Sequence, residues 1–252
     1  MKKNECVWKT PPAAVALSHD EIHVWCAGVA VAPASVTRFR DMLSPDEVKR
    51  ADRIRFDRRR TRFVASRAVL RMILSRYVNI APALLQFTYS MRGKPSLVYD
   101  VTREGISFNV AHSNELALYA VTLRRPIGTD IEFIRPGPDP DQLARRFFTS
   151  GEYNMLKPLP ADRKRRLFFD LWTCKEAYLK ATGRGLSGLE DAEIGFGTDK
   201  RALIKGRGPQ DGTGEHWSLQ QLHVPVSGYS AAVAVEGNGC SITAFYKLAL
   251  TG

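Results

Sequence analysis

The chain is poor in cysteine and has nothing that could span a bilayer. Its four cysteines (Cys6, Cys26, Cys174 and Cys240) are scattered and form no CxxC pair. That spacing points to neither a disulfide framework nor a zinc site, so a reducing, cytoplasmic setting is expected. Cys174 has no histidine nearby in sequence to activate it, which argues against a thiolate nucleophile. No run of about 18 apolar residues occurs, and no membrane helix is expected. Met1–Trp8 opens with two lysines but lacks an apolar stretch before Pro11-Pro12, so no secretory signal is expected either. Short-period repeats and low-complexity tracts are also missing.

Positive charge is abundant. The 252 residues carry 37 Lys and Arg against 26 Asp and Glu, a formal net charge of +11. The excess is concentrated in Lys49, Arg50, Arg53, Arg55, Arg58, Arg59, Arg60, Arg62, Arg67, Arg71 and Arg76, opposed only by Asp52 and Asp57. Such a field attracts a polyanion: nucleic acid, a multiply phosphorylated small molecule or an acidic protein. The plainer alternative is a solvated helix surface.

Periodicity places those charges on helices. Ser44-Pro45-Asp46-Glu47 combines a cap, a proline suited to the first turn and a capping-box glutamate. A second helix follows, with Phe63, Leu70, Ile73, Leu74 and Tyr77 on one stripe. Strands are expected at 21–31, 86–89, 106–110, 116–123 and 126–133, with Arg92-Gly93-Lys94-Pro95 as a turn. The breaker-rich stretch 135–140 separates these from a second helical set. It includes Thr149-x-x-Glu152, another capping-box spacing, and a long helix from about Asp162 to Gly183. Strands near 192–196, 217–224, 229–235 and 241–248 complete the chain. Helices followed by strands in each half predict an α+β protein of two similar, pseudo-symmetric lobes, 1–124 and 125–252, with the active site between them.

Two segments carry the chemistry. In Gly128-Thr129-Asp130-Ile131-Glu132 the carboxylates stand at i and i+2, on one face of a strand. In Trp172-Thr173-Cys174-Lys175-Glu176-Ala177-Tyr178-Leu179-Lys180, Glu176 and Lys180 stand at i and i+4, on one face of a helix. Three carboxylates converging beside lysines suit a divalent cation that holds a phosphate. Spacing alone also permits surface acids paired with Arg135 and an ordinary Glu176–Lys180 helix pair.

Taken together, these motifs resemble the signature of the 4′-phosphopantetheinyl transferases. Trp172-x-x-Lys175-Glu176-Ala177-x-x-Lys180-x-x-Gly183-x-Gly185-Leu186 follows Gly128-x-Asp130-Ile131-Glu132 at about the family's spacing. Arg92-Gly93-Lys94-Pro95, Phe108-Asn109-Val110-Ala111-His112-Ser113, Arg145-Arg146-Phe147-Phe148-Thr149-x-x-Glu152 and Gly228-Tyr229 resemble further family motifs in the expected order. The long, monomeric group typified by the surfactin-synthetase activating enzyme is the closer match.

The resemblance implies transfer of the phosphopantetheine arm of coenzyme A to a serine of an apo acyl or peptidyl carrier protein, releasing adenosine 3′,5′-bisphosphate. Asp130, Glu132 and Glu176 would hold Mg²⁺, and Glu176 would also take the serine proton. Lys180 would stabilise the leaving phosphate and Lys175 would contact the pyrophosphate. Arg58, Arg62, Arg92, Gly93, Lys94, Pro95, Asn109 and His112 would bind coenzyme A, with Arg58 and Arg62 at its 3′-phosphate. Ala111 stands where the family usually has serine, and Thr129 where it has an aliphatic residue. A monomer that binds neither nucleic acid nor membrane is implied. The rival readings are a nucleic-acid-binding protein that uses the arginine-rich helices and a family member that binds without turnover.

Overall fold

A computed structural model describes residues 7–12, 14–98, 105–137, 139–189, 192–197, 202–205 and 217–247. Cys6, most of the basic N-terminal stretch, Pro138 and Leu248 lie outside the described residues. The chain divides into two compact units, Val7–Arg124 with Ile242–Gly252, and Arg125–Ser241 with Met1–Cys6.

In the first unit β1 (Trp8–Lys9) and β2 (Glu21–Gly28) precede α1 (Pro33–Arg40), α2 (Pro45–Asp52) and α3 (Asp57–Val78). A hairpin follows, β3 (Phe87–Tyr89) with β4 (Pro95–Leu97), then β5 (Ile106–Ser113) and β6 (Leu116–Leu123). The capping box expected at Ser44 is seen as Ser44 N–H donating to Glu47 Oε2 at 3.1 Å. The helix expected after it is α3, which ends at Asn79 in the left-handed region, φ 53°. Only Pro33, at its first position, marks the start of α1, because Ala32 has no polar side chain with which to cap it. The apolar face of α3 (Val64, Ala68, Leu70, Leu74) packs with Trp25, Tyr119 and Val121 of the sheet in one buried cluster.

The second unit begins with β7 (Ile127–Phe133), followed by α4 (Pro140–Phe147), α5 (Ser150–Leu156) and α6 (Ala161–Thr182). Strands β8 (Glu193–Phe196), β9 (Ala202–Lys205), β10 (Trp217–Gln221) and β11 (Tyr229–Glu236) follow. Strands β10, β11 and β7 make an antiparallel sheet, with Asp130 opposite Ala232 and Glu132 opposite Ser230. The core beneath α6 contains Leu171, Ala177, Tyr178, Leu179, Ala232 and Ala234.

The final strand, β12 (Ser241–Lys247), does not stay with its neighbours in sequence. It enters the first unit's sheet, whose order is β1-β12-β2-β6-β5. A second lobe running unbroken from 125 to 252 is therefore corrected at its end. The pairing that captures β12 is with strands more than 200 residues upstream (Trp8↔Ala244), which no local pattern encodes.

The two units repeat one device. The long helices α3 and α6 are both 22 residues, and Arg71 and Lys175 occupy the same position in each. Each reaches the capping-box glutamate of the preceding helix, Glu47 and Glu152, in a pair no more than 1% exposed. Arg71 also donates to the carbonyls of Pro82 and Leu85, so its desolvated guanidinium has further acceptors.

Candidate active site

The second unit brings four of the expected residues together. Asp130 and Glu132 extend from β7 on the face covered by α6, where Glu176 and Lys180 stand one helical turn apart. Gly128 permits this closeness: a Cβ there would overlap the Ala177 carbonyl oxygen and the Ala181 amide nitrogen of α6. Thr129 points the other way and its hydroxyl donates to Ala232 O at 2.8 Å, so its polar atom is satisfied across the strands.

Lys180 Nζ donates to Asp130 Oδ1 at 2.6 Å. The other carboxylate oxygen, Oδ2, is buried and accepts no hydrogen bond among the described residues. Burial pushes the Asp130 carboxyl up to about 7; Lys180 opposes that shift, while the charges of Glu132 and Glu176 add to it. Burial likewise raises Glu176, against the pull of Lys180 and with a push from Glu132. Three carboxylates thus share one field with the Lys180 ammonium. Among the described residues, no three His, Cys, Asp or Glu side chains already stand in a metal-holding cluster.

The structure removes Lys175 from this set. Its side chain is 0% exposed, and its ammonium donates to both oxygens of Glu152 at 2.8 Å and to the Ala192 carbonyl. Adjacent helical residues diverge by about 100°, so Lys175 cannot share the face of Glu176. A pyrophosphate contact by Lys175 is therefore corrected: it is a buried structural cation. Glu152 is equally saturated, accepting also from Thr149 N and Ile194 N. Cys174 is buried as well, and burial pushes its thiol up, away from nucleophilic use.

The remaining expected residues belong to the first unit. Arg58 Nη2 bonds Glu115 Oε1 at 2.9 Å and Arg62 Nη2 bonds Asn114 Oδ1 at 3.1 Å, tying the start of α3 to the β5–β6 turn. Exposed His112 precedes that turn, whereas Asn109 is only 5% exposed. In the β3–β4 turn Gly93 takes φ 78°, and Lys94 N–H donates to Ser90 Oγ. Burial lowers Lys94, whose ammonium is partly desolvated, while Arg92 is exposed and Pro95 opens β4.

Sequence reasoning missed a polar group one turn along α6. Ser230 Oγ donates to Asp170 Oδ1 at 2.6 Å and lies 3.1 Å from the Thr173 hydroxyl, directly across the strands from Glu132. Only the β11 register, which is non-local, could have revealed it.

Two family models match successive parts of the chain. "4'-phosphopantetheinyl transferase, N-terminal" covers residues 32–124, and "4'-phosphopantetheinyl transferase superfamily" covers residues 126–234. The 4'-phosphopantetheinyl transferase HetI of Nostoc sp. is 41% identical over 232 residues, spanning 92% of this chain and 94% of its own. A putative 4'-phosphopantetheinyl transferase of Synechocystis sp., slr0495, is 38% identical over 72% of each chain. The 4'-phosphopantetheinyl transferase Sfp of Bacillus subtilis is 29% identical over 60% of this chain and 64% of its own.

Proposed function

Because the chain belongs to the 4′-phosphopantetheinyl transferase superfamily, we propose that it transfers the 4′-phosphopantetheine arm of coenzyme A to a serine hydroxyl of an apo carrier protein, releasing adenosine 3′,5′-bisphosphate. The observation that supports this reading is Asp130 in the field of Glu132 and Glu176 and paired with Lys180, its buried Oδ2 accepting no hydrogen bond among the described residues.

That donor set suits Mg²⁺, a hard cation that takes oxygen ligands and shares them with substrate phosphates. Asp130, Glu132 and Glu176 would hold it. When bound, it supplies charge neutralisation at a pyrophosphate whose oxygen must leave. Glu176, raised by burial, is the base for the serine proton: a carboxylate desolvated in this way accepts a proton more readily near neutral pH. Lys180 faces the same carboxylates and is the cation for the leaving phosphate. Arg58, Arg62, Arg92, Lys94 and His112 supply the first unit's donors for the phosphates of coenzyme A, with Gly93, Pro95 and Asn109 shaping that surface. The protein would work as a monomer in the cytoplasm.

Incubation with coenzyme A, Mg²⁺ and a panel of apo carrier domains, followed by intact-mass measurement, tests the reading. At least one carrier gains a phosphopantetheine with wild-type protein and none does with Glu176→Ala. If no carrier gains mass, the reading is wrong.

A further inference from the structure

The arginine-rich stretch divides into two sets in the first unit. Arg71 is buried against Glu47, Arg67 bonds Glu47 and Tyr89, and Arg58 and Arg62 reach the β5–β6 turn. Lys49, Arg53, Arg55 and Arg59 behave differently. All four are exposed, at the end of α2, in the connection 53–56 and in the first turn of α3, and none forms an ion pair among the described residues. The acids of this corner are already taken: Asp52 pairs with Arg40 at 2.7 Å, and Asp57 with Arg60. Arg59 is one residue past Arg58, so it diverges from that turn-facing arginine by about 100° around the helix.

These cations flank an apolar ring. Phe56 is 65% exposed, Arg53 and Arg55 precede it in the same connection, and the Arg59 guanidinium lies over one face of the ring at 5.4 Å. Uncompensated positive charge around one protruding phenyl group is complementary to a surface that is anionic at its phosphates and apolar beneath them.

We propose that this corner of α2 and α3 is a contact surface for an anionic lipid bilayer. Phe56 enters the boundary between headgroups and acyl chains, and Lys49, Arg53, Arg55 and Arg59 bind lipid phosphates. The contact is peripheral, because no helix among the described residues is long and apolar enough to cross a membrane. It adds a partner that the family resemblance does not imply, and it stands independently of the transfer activity above. Nucleic acid is the competing polyanion. A single strand is held by successive aromatic platforms along a basic groove. Phe56 is the only exposed aromatic residue from Pro45 to Val78 among the described residues, and Arg59 already covers one of its faces. Lipid headgroups diffuse to wherever the cations stand, so no fixed phosphate spacing is needed.

The test is co-sedimentation of the full chain with vesicles of phosphatidylcholine alone or mixed with phosphatidylserine. The wild-type protein should bind the mixed vesicles, ignore the neutral ones, and dissociate as salt is raised. Each basic residue near an anionic leaflet is worth about fivefold in affinity, so Arg55→Glu with Arg59→Glu should weaken binding by about tenfold or more. Phe56→Ser should weaken it by about fivefold through lost apolar burial. Serine is a favoured residue at the cap position that Phe56 holds, and acids suit a first helical turn, so thermal melting should show all variants folded. Equal binding to both kinds of vesicle, or variants that bind like the wild type, would overturn the inference. Displacement of the vesicles by saturating coenzyme A would assign the cations to the coenzyme A site and overturn it. Tighter binding to a single-stranded oligonucleotide than to the mixed vesicles, weakened by the same variants, would give the surface to nucleic acid instead.

Discussion

Lys175 and Glu152 form an ion pair closed off from water on both sides, each side chain 0% exposed and the ammonium 2.8 Å from both carboxylate oxygens. Burial lowers the lysine and Glu152 counteracts it, so the pair holds its charge only while both members remain. Removing one leaves an uncompensated buried charge, which costs about 3–5 kcal/mol. Lys175→Met and Glu152→Gln should therefore lower stability in urea by that order and reduce activity only as the folded fraction falls. Glu176→Gln, one residue along, should do the reverse: activity lost, denaturation midpoint nearly unchanged. Equal activity loss in well-folded Lys175→Met would return that lysine to the substrate.

Gly128 brings β7 directly against the backbone of α6 at Ala177 and Ala181. Backbone atoms of the helix stand where a Cβ would go, and they cannot swing aside as a side-chain tip could. Gly128→Ala should cost about 1–3 kcal/mol, typical of overpacking. It should also lower kcat more than the stability loss explains, because pushing α6 outward moves Glu176 and Lys180 away from Asp130. A variant with wild-type melting and turnover would show that the strand and helix can separate freely.

His23 carries a pH dependence of the fold. Its Nδ1 lies 2.8 Å from the Tyr77 hydroxyl, which also accepts from Trp25 Nε1 at 2.8 Å, and its Nε2 faces Glu21. Burial lowers its pKa, with Glu21 pulling the other way. A histidine depressed in the folded state contributes stability that is fully present above the unfolded value, about 6.5, and lost progressively as pH falls below it. Because Asp130 titrates with the opposite sign in this window, the His23 contribution is read as a difference: from pH 7.5 to 5.5 the wild-type melting temperature should fall relative to that of His23→Gln by a few degrees, at about 2–4 °C per kcal/mol for a protein of this size. His23→Gln keeps an acceptor for Tyr77 and should lack that component. Parallel profiles in the two proteins would place the titration elsewhere.

The carboxylate group was legible in the sequence because i, i+2 on a strand and i, i+4 on a helix fix a shared face whatever surrounds them. The two capping boxes announced α2 and α5 for a similar reason, since each is complete within four residues. Lys175 was misread although the helical period already turned it away from Glu176; the family motif, written as a string, hides that rotation. The Ser230–Asp170 contact and the return of β12 depend on strand register across 60 and more than 200 residues.

If Asp130 holds Mg²⁺ as proposed, metal binding is linked to protons. Its carboxyl is raised to about 7 in the folded protein, against about 3.9 in an unfolded chain. In the metal-free protein the folded state therefore holds a proton across that window that the unfolded state has released, and stability falls as pH rises from about 4 to 7. A divalent cation needs the ionised form, so binding below pH 7 must expel that proton. Titration calorimetry with Mg²⁺ at pH 6, in buffers of different ionisation enthalpy, should show close to one proton released, declining towards none at pH 8.5. Asp130→Asn should abolish the release and weaken Mg²⁺ binding at both pH values. Proton release that persists unchanged in Asp130→Asn would mean that a different group titrates on binding, and Asp130 would lose its place among the ligands.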